Sequence, residues 1–232
     1  MNSAHAETVF QSRLEQVSLL ELYTSEGCSS CPPADLWLGK LTDHPSLWKQ
    51  LVPIAFHVDY WDSLGWKDRF SRSEYSARQT RYVETGAIPF SYTPGFVLNG
   101  IEWRSDRGIP AVIVEGNVGV LMATIGAQKV SVEYMPSRPV IGDTLIANIA
   151  LLGFGLTSEI QSGENNGRRL AHDFVVLSLQ QEVLIGDRGK YVAATSLPRS
   201  DIPAEQYAIA LWVTAGDTQT PLQAVGGWLD TE

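Results

Sequence analysis

A change of pattern near Asn117 constrains the fold more than any other feature of this chain. Before it, apolar runs of strand length alternate with helix signals. After it, strand-like stretches follow one another, with turn residues between them and no helical period of any length. Strand–helix alternation builds parallel strands through βαβ units, whereas strands joined by turns build antiparallel sheets. The expected organisation is an N-terminal extension over 1–16, an α/β domain over 17–116 and an all-β antiparallel sandwich over 117–232.

In the first half, "VSLLELYTSEG" (17–27) reads as a buried strand running into a loop. "CSSCPPADLWLGKL" (28–41) reads as a helix, with Pro32 and Pro33 in its first turn and Ser29 or Ser30 as cap. Leu36, Leu38 and Leu41 are expected to face the core, and His44-Pro45 to end the helix. "LVPIAFHVDYW" (51–61) is a second strand, parallel to the first. Ser71 to Glu74 fits a capping box, predicting a helix from about Arg72 to Val83. "YTPGFVLNG" and "IEWR" form a hairpin turning at Asn99-Gly100, and Asp106 to Glu115 a short last helix. In the second half "VGVLMATI", "KVSVEYM", "DTLIANIALL", "AHDFVVLSLQ" and "QYAIALWVTA" are strands, the last alternating as a half-buried strand does. "GENNGRR" (163–169) is a loop tip.

The only two cysteines are Cys28 and Cys31, so no other disulfide can form within the chain. A thiolate at a helix N-terminus is stabilised by free amides and the helix dipole. In an exchange reaction Cys28 would attack and Cys31 would resolve. A staple closing so short a loop gains little chain entropy. Soft thiolates with His57 would instead suit copper or zinc. A redox pair, a metal clip and an inert pair therefore stand side by side, with redox favoured because the motif follows a strand and opens a helix.

Residues 17–116 resemble the thioredoxin-like superfamily in their order of strand, Cys-x-x-Cys, helix, strand, helix and hairpin. That resemblance implies an α/β thioredoxin-like domain followed by the sandwich. It also implies a cis-proline at Pro94, preceded by Thr93, facing the cysteines and shaping the substrate groove. There are departures: Gly27 stands where tryptophan usually precedes the first cysteine, and Ser-Ser replaces Gly-Pro. The stretch before Pro94 is longer and carries Trp61, Trp66, Tyr75 and Tyr82. These suit a narrower substrate than a general reductase has. "YTSEGCSSCPPAD", "HVDYWDSLGWKDRFS", "YTPGFVLNG" and "GENNGRRLAHDFVV" together resemble an uncharacterised bacterial family, usually predicted to be secreted, that joins such a half to a β-rich half.

His57, Asp59 and Trp61 are expected on one face of the second strand. Asp59, near the strand's carboxyl end, is a candidate proton shuttle or substrate contact, as is Trp61 a substrate contact; its plain alternative is a loop cap. For His57 a satisfied core histidine is the favoured reading. Asp68–Arg72 and Glu74–Arg78 are i,i+4 pairs on what reads as a solvated basic helix face. Arg168 and Arg169 read as exposed charges flanking a turn.

A formal net charge of −9 without a basic tract argues against nucleic acid. No apolar run approaches the ~20 residues of a membrane-spanning helix. "MNSAHAETVFQSRLEQ" shows no secretory signal. A cytoplasmic protein and a periplasmic or secreted one whose signal has been removed are both open, the second by family resemblance. The leading expectation is thiol–disulfide exchange with a protein or small-molecule thiol or disulfide, through Cys28, Cys31 and Pro94, with Thr93, Asp59 and Trp61 touching substrate and no cofactor. Copper or zinc delivery and a non-catalytic binding module are the alternatives.

Overall fold

A computed structural model describes residues 7–104, 116–126, 128–140, 142 and 144–230. The helix expected over Asp106 to Glu115 lies outside the described residues. The first half contains strands β1 (Thr8–Gln11) and β2 (Ser18–Thr24), helix α1 (Pro32–Gly39) and strand β3 (Leu51–His57). Helix α2 (Ser73–Glu84) and the strands β4 (Gly95–Leu98) and β5 (Ile101–Trp103) follow. The second half contributes β6 (Gly119–Ile125), β7 (Lys129–Pro136), β8 (Leu145–Phe154), β9 (Leu156–Glu159) and β10 (Arg169–His172). It ends with β11 (Val175–Asp187), β12 (Lys190–Ser196), β13 (Gln206–Ala215) and β14 (Gln223–Trp228).

Local chemistry explains most of these elements. β2 and β3 run parallel, with Ser18 opposite Leu51 and Thr24 opposite His57, as a strand–helix–strand unit requires. β4 pairs antiparallel with β2 and turns into β5 at Asn99 and Gly100, whose φ angles of 49° and 83° make the left-handed turn that twisted hairpins favour. Pro32 and Pro33 occupy the first turn of α1, where a missing N–H breaks no helical bond. Three details differ from expectation. Cys31, not a serine, is the N-cap of α1, and its side chain caps nothing. Leu36 is 59% exposed, so the face that α1 buries is Ala34, Asp35 and Leu38. Ser71 does not close a capping box on α2; its hydroxyl donates to Asp62 Oδ2 (2.8 Å) instead, and Arg72 is the N-cap.

The expectation of an α/β thioredoxin-like domain followed by a separate sandwich is overturned. The chain forms one twelve-stranded mixed sheet, ordered β1-β6-β7-β12-β11-β3-β2-β4-β5, with β8, β13 and β14 branching from β11. A two-stranded sheet, β9 with β10, stands apart from it. The physical reason is the free edge of β3. β11 takes it in parallel at Val175 opposite Ala55, and the Ala55 N–H donates to Phe174 O at 2.8 Å. The same β11 pairs antiparallel with β8 along its length and with β12 at its far end.

Burial follows the sheet. In β8, Ala150, Leu152 and Phe154 pack with the first half, while Leu145, Ala147 and Ile149 pack against β6 and β7. In β13, Ala208, Ala210 and Trp212 take the first core, and Ile209, Leu211 and Val213 the second. The small residues that alternate in β13 are therefore not a wet face, as expected, but a second buried one. A strand covered on both sides loses its polar positions, and this one has almost none.

A buried ion pair within the first half also reaches the second through Gln219. Arg78 on α2 donates from Nε to Glu21 Oε2 (2.8 Å) and from Nη2 to Glu21 Oε1 (3.0 Å). Tyr23 and Tyr82 hydroxyls donate to the same carboxylate, and Arg78 Nη1 reaches Gln219 beyond β13. Arg78 is 1% exposed, so the solvated pair with Glu74 expected from their spacing is not its role.

Candidate functional site

β2 ends at Thr24 and releases the chain into Ser25–Ser30, which leads into α1. Cys28 and Cys31 are joined as a disulfide, with Cα atoms 5.5 Å apart. Backbone bonds fold the segment tightly: Cys28 N–H donates to Ser25 O (3.2 Å) and Cys31 N–H to Cys28 O (3.2 Å). The Ser30 hydroxyl donates to Cys28 Sγ (3.3 Å), since a disulfide sulfur can only accept. Both cysteines are 0% exposed, while Ser29 and Ser30 between them are exposed.

The Thr93–Pro94 peptide bond is cis. Pro94 and Ser30 together line a groove of about 560 Å³. Its walls are aromatic: Trp37, Phe96 and Trp103 pack edge-on or tilted with ring centroids 5.3–5.4 Å apart. At its rim Tyr92 donates to Glu102 Oε1 (2.6 Å). Trp61 Nε1 donates to Thr93 Oγ1 at 2.8 Å, so two residues singled out in the sequence meet. Trp61 also explains Gly27. A Cβ at Gly27 would lie 3.0 Å from Trp61 Cβ and 3.5 Å from Trp61 O, so the close approach of the Trp61 loop leaves little room for a side chain before Cys28.

Asp59 and Trp61 lie beyond the end of β3 at His57, in the following loop rather than on a strand face. Asp59 accepts the Ser76 hydroxyl of α2 at 2.5 Å, and its own N–H donates back to Ser76 Oγ (3.0 Å). These bonds anchor the loop to α2. His57 is fully buried, and its Nδ1 lies 2.6 Å from Asp68 Oδ2. No group of three or more His, Cys, Asp or Glu side chains among the described residues is placed to hold a metal ion.

Sequence reasoning missed a buried acid–base cluster behind the disulfide. Glu26, Asp35, His57, Asp68 and His172 are each at most 7% exposed. His172 arrives from β10, with Nε2 3.3 Å from Glu26 Oε1 and Nδ1 3.9 Å from Asp35 Oδ2. The His57 and His172 rings cross at 5.0 Å. Trp66 Nε1 donates to Glu26 Oε2 (2.8 Å), and Thr24 Oγ1 to Asp35 Oδ2 (3.1 Å). Burial opposes charge on His57, but the adjoining Asp68 carboxylate outweighs it and raises the imidazole above its ordinary value. Burial pushes Asp68 up, and His57 with the N–H groups of Glu26 and Phe70 pulls it below the usual carboxylate value. Burial likewise opposes Glu26, but the His172 and Trp66 contacts hold it low. Asp35 differs: burial dominates and raises its carboxyl despite His172 and His57 nearby.

The loop between β9 and β10 closes the site from the second half. Buried Asn165 donates from Nδ2 to Glu26 O (2.8 Å) and Cys28 O (3.0 Å). Its Oδ1 accepts Arg168 Nη1 at 2.9 Å. The exposed Glu164 carboxylate accepts the Ser29 N–H at 3.1 Å, and hydrogen bonding from Ser29, its side chain first and its N–H second, lowers the carboxyl below the usual value. An Asn-Asn-Gly loop tip was visible in the sequence; that it would bind a loop some 135 residues away was not.

A family model described as "Protein of unknown function (DUF1223)" matches residues 19–214. Two solved structures share the fold. A structural-genomics crystal structure of a protein from Agrobacterium tumefaciens is 22% identical, with a TM-score of 0.61 over 95% of this chain and 100% of that one. HBP35 of Porphyromonas gingivalis is 13% identical, with a TM-score of 0.62 over 95% of this chain and 77% of that one. No curated protein matches the chain.

Proposed function

Given that the chain belongs to the DUF1223 family, we propose that it exchanges disulfides with protein or small-molecule thiols through Cys28 and Cys31. The observation that carries this reading is the disulfide at the start of α1, with cis-Pro94 and exposed Ser30 sharing one groove beside it. In this reading Cys28 is the sulfur attacked by an incoming thiolate, and Cys31 leaves as thiolate and re-forms the bond in the reverse step. Thr93 and Trp61 would border the incoming chain, and the aromatic groove would receive an apolar side chain of it. Asp59 would act from outside, by fixing the loop that carries Trp61. The likeness to thioredoxin-like proteins supports the reading at this site only. Among the described residues no helix is long and apolar enough to cross a membrane. A resting disulfide suits a periplasmic or secreted protein.

One observation favours a second reading. Both cysteines are wholly buried, which suits a non-catalytic binding module holding an inert pair. A redox titration of the oxidised protein in defined thiol buffers separates the two. Exchange predicts a reversible two-electron couple in the oxidoreductase range of roughly −270 to −120 mV, lost in Cys28→Ser. A disulfide that cannot be reduced while the protein stays folded refutes exchange.

A further inference from the structure

The carboxylate of Glu164 is held beside the disulfide by the second half of the chain. It accepts the N–H of Ser29, the residue next to Cys28, and it is exposed to solvent. Asn165 fixes the loop beneath it through two bonds to the cysteine segment. The loop's own cation, Arg168, is engaged with Asn165 Oδ1. The other acids close to the cysteine segment, Glu26, Asp35 and Asp68, are buried, each beside a histidine. Glu164 is thus a solvent-facing charge anchored one residue from the sulfur that a thiolate would attack.

We propose that Glu164 selects the reaction partner by charge, disfavouring anionic thiols and favouring those whose sulfur has a cationic neighbour, such as a cysteine in a basic peptide. This rests on the exchange reading above. In the step concerned, a thiolate RS⁻ attacks Cys28 Sγ, an R–S–S–Cys28 bond forms, and the Cys28–Cys31 bond breaks. Cys31 leaves as thiolate and takes a proton from solvent. A second RS⁻ then releases RSSR, and the Cys28 thiolate so freed is protonated in turn. The balance is two RSH oxidised to RSSR and one protein disulfide reduced to two thiols. The attacking species carries a net charge of zero for cysteamine, −1 for 2-mercaptoethanol and −2 for glutathione. For two unit charges about 7 Å apart in a water-like dielectric, the attraction or repulsion changes the local concentration about threefold at low salt.

The test measures second-order rates of native disulfide reduction by these three thiols, in wild type and in Glu164→Gln. Glutamine keeps an oxygen for the Ser29 N–H and removes only the charge. Dividing variant by wild type for each thiol cancels the thiols' intrinsic reactivities. The ratio is expected to be near one for cysteamine, about threefold for 2-mercaptoethanol and up to about tenfold for glutathione. Salt at 0.5 M should compress the series. Glu159→Gln, which removes a carboxylate paired with Arg169 on the same hairpin, should give ratios near one throughout. Equal ratios for all three thiols in Glu164→Gln overturn the charge selection and leave exchange standing. If no thiol reduces the folded protein, both fail together.

Discussion

Removing the Asn165 amide should loosen the cysteine segment and lower stability by an amount the structure sets. Asn165 is 0% exposed and supplies two hydrogen bonds across the halves. The two acceptors are not equal. Cys28 O also accepts the Cys31 N–H, so Asn165→Ala removes one of its two partners. That loss is worth about 0.5–1.5 kcal/mol. Glu26 O has Asn165 as its hydrogen-bond donor, and a buried acceptor left unpaired costs about 1–3 kcal/mol. Asn165→Ala is therefore expected to cost about 2–4 kcal/mol in all. Asn165→Asp keeps an oxygen for Arg168 Nη1 but turns the other carboxylate oxygen toward two carbonyl oxygens, so it should lose both donated bonds as alanine does and add their repulsion. Urea unfolding of the oxidised proteins measures both, read as a lower midpoint at unchanged slope. Since the loop that covers the cysteine segment is released, dithiothreitol should reduce the native disulfide faster in Asn165→Ala. An alanine variant within about 0.5 kcal/mol of wild type, or an aspartate variant no worse than alanine, would refute the clamp.

The buried Glu21–Arg78 pair should behave as a lock rather than a spring: Arg78→Met, which strands a carboxylate at 1% exposure, is expected to cost about 3–5 kcal/mol in urea unfolding, and adding Glu21→Gln should restore part of it. A double variant no more stable than Arg78→Met alone contradicts that account. The His57–Asp68 pair predicts a signed pH dependence. His57 is raised above 6.5 in the fold, so its contribution is full below pH 6.5 and is lost as pH rises through the folded value. Asp68 is lowered from 3.8, so its contribution is present above that value and is lost as pH falls through the folded one. Thermal midpoints of wild type should therefore fall from pH 6.5 into the alkaline range, with a shallower fall in His57→Gln. Parallel profiles would remove His57 as the cause.

What was legible in the sequence is what neighbours along the chain decide. Pro32-Pro33 placed the start of α1, Asn99-Gly100 placed a hairpin, and the spacing of two cysteines placed the sulfurs. What was not legible depends on strands meeting far apart in sequence. The half-buried reading of "QYAIALWVTA" failed because alternation in side-chain size was taken for alternation in burial. Ala208 and Ala210 are small because another layer packs on them, and a run with almost no polar residue was the available signal. Glu21 carried a similar signal: a lone carboxylate inside "LLELY" must find a buried cation, and Arg78 is the one that reaches it. The reading of Arg78 as a solvated i,i+4 partner spent that cation on Glu74 and concealed the link to β2. The same logic governs the site. Ten residues locate the disulfide, but Asn165, Glu164 and His172 set its cover, its charge and its proton-bearing neighbours. In the exchange proposed above the second half would therefore take part in the chemistry, and a cysteine segment cut away from it would keep its sulfurs while losing the carboxylate proposed to select the thiol.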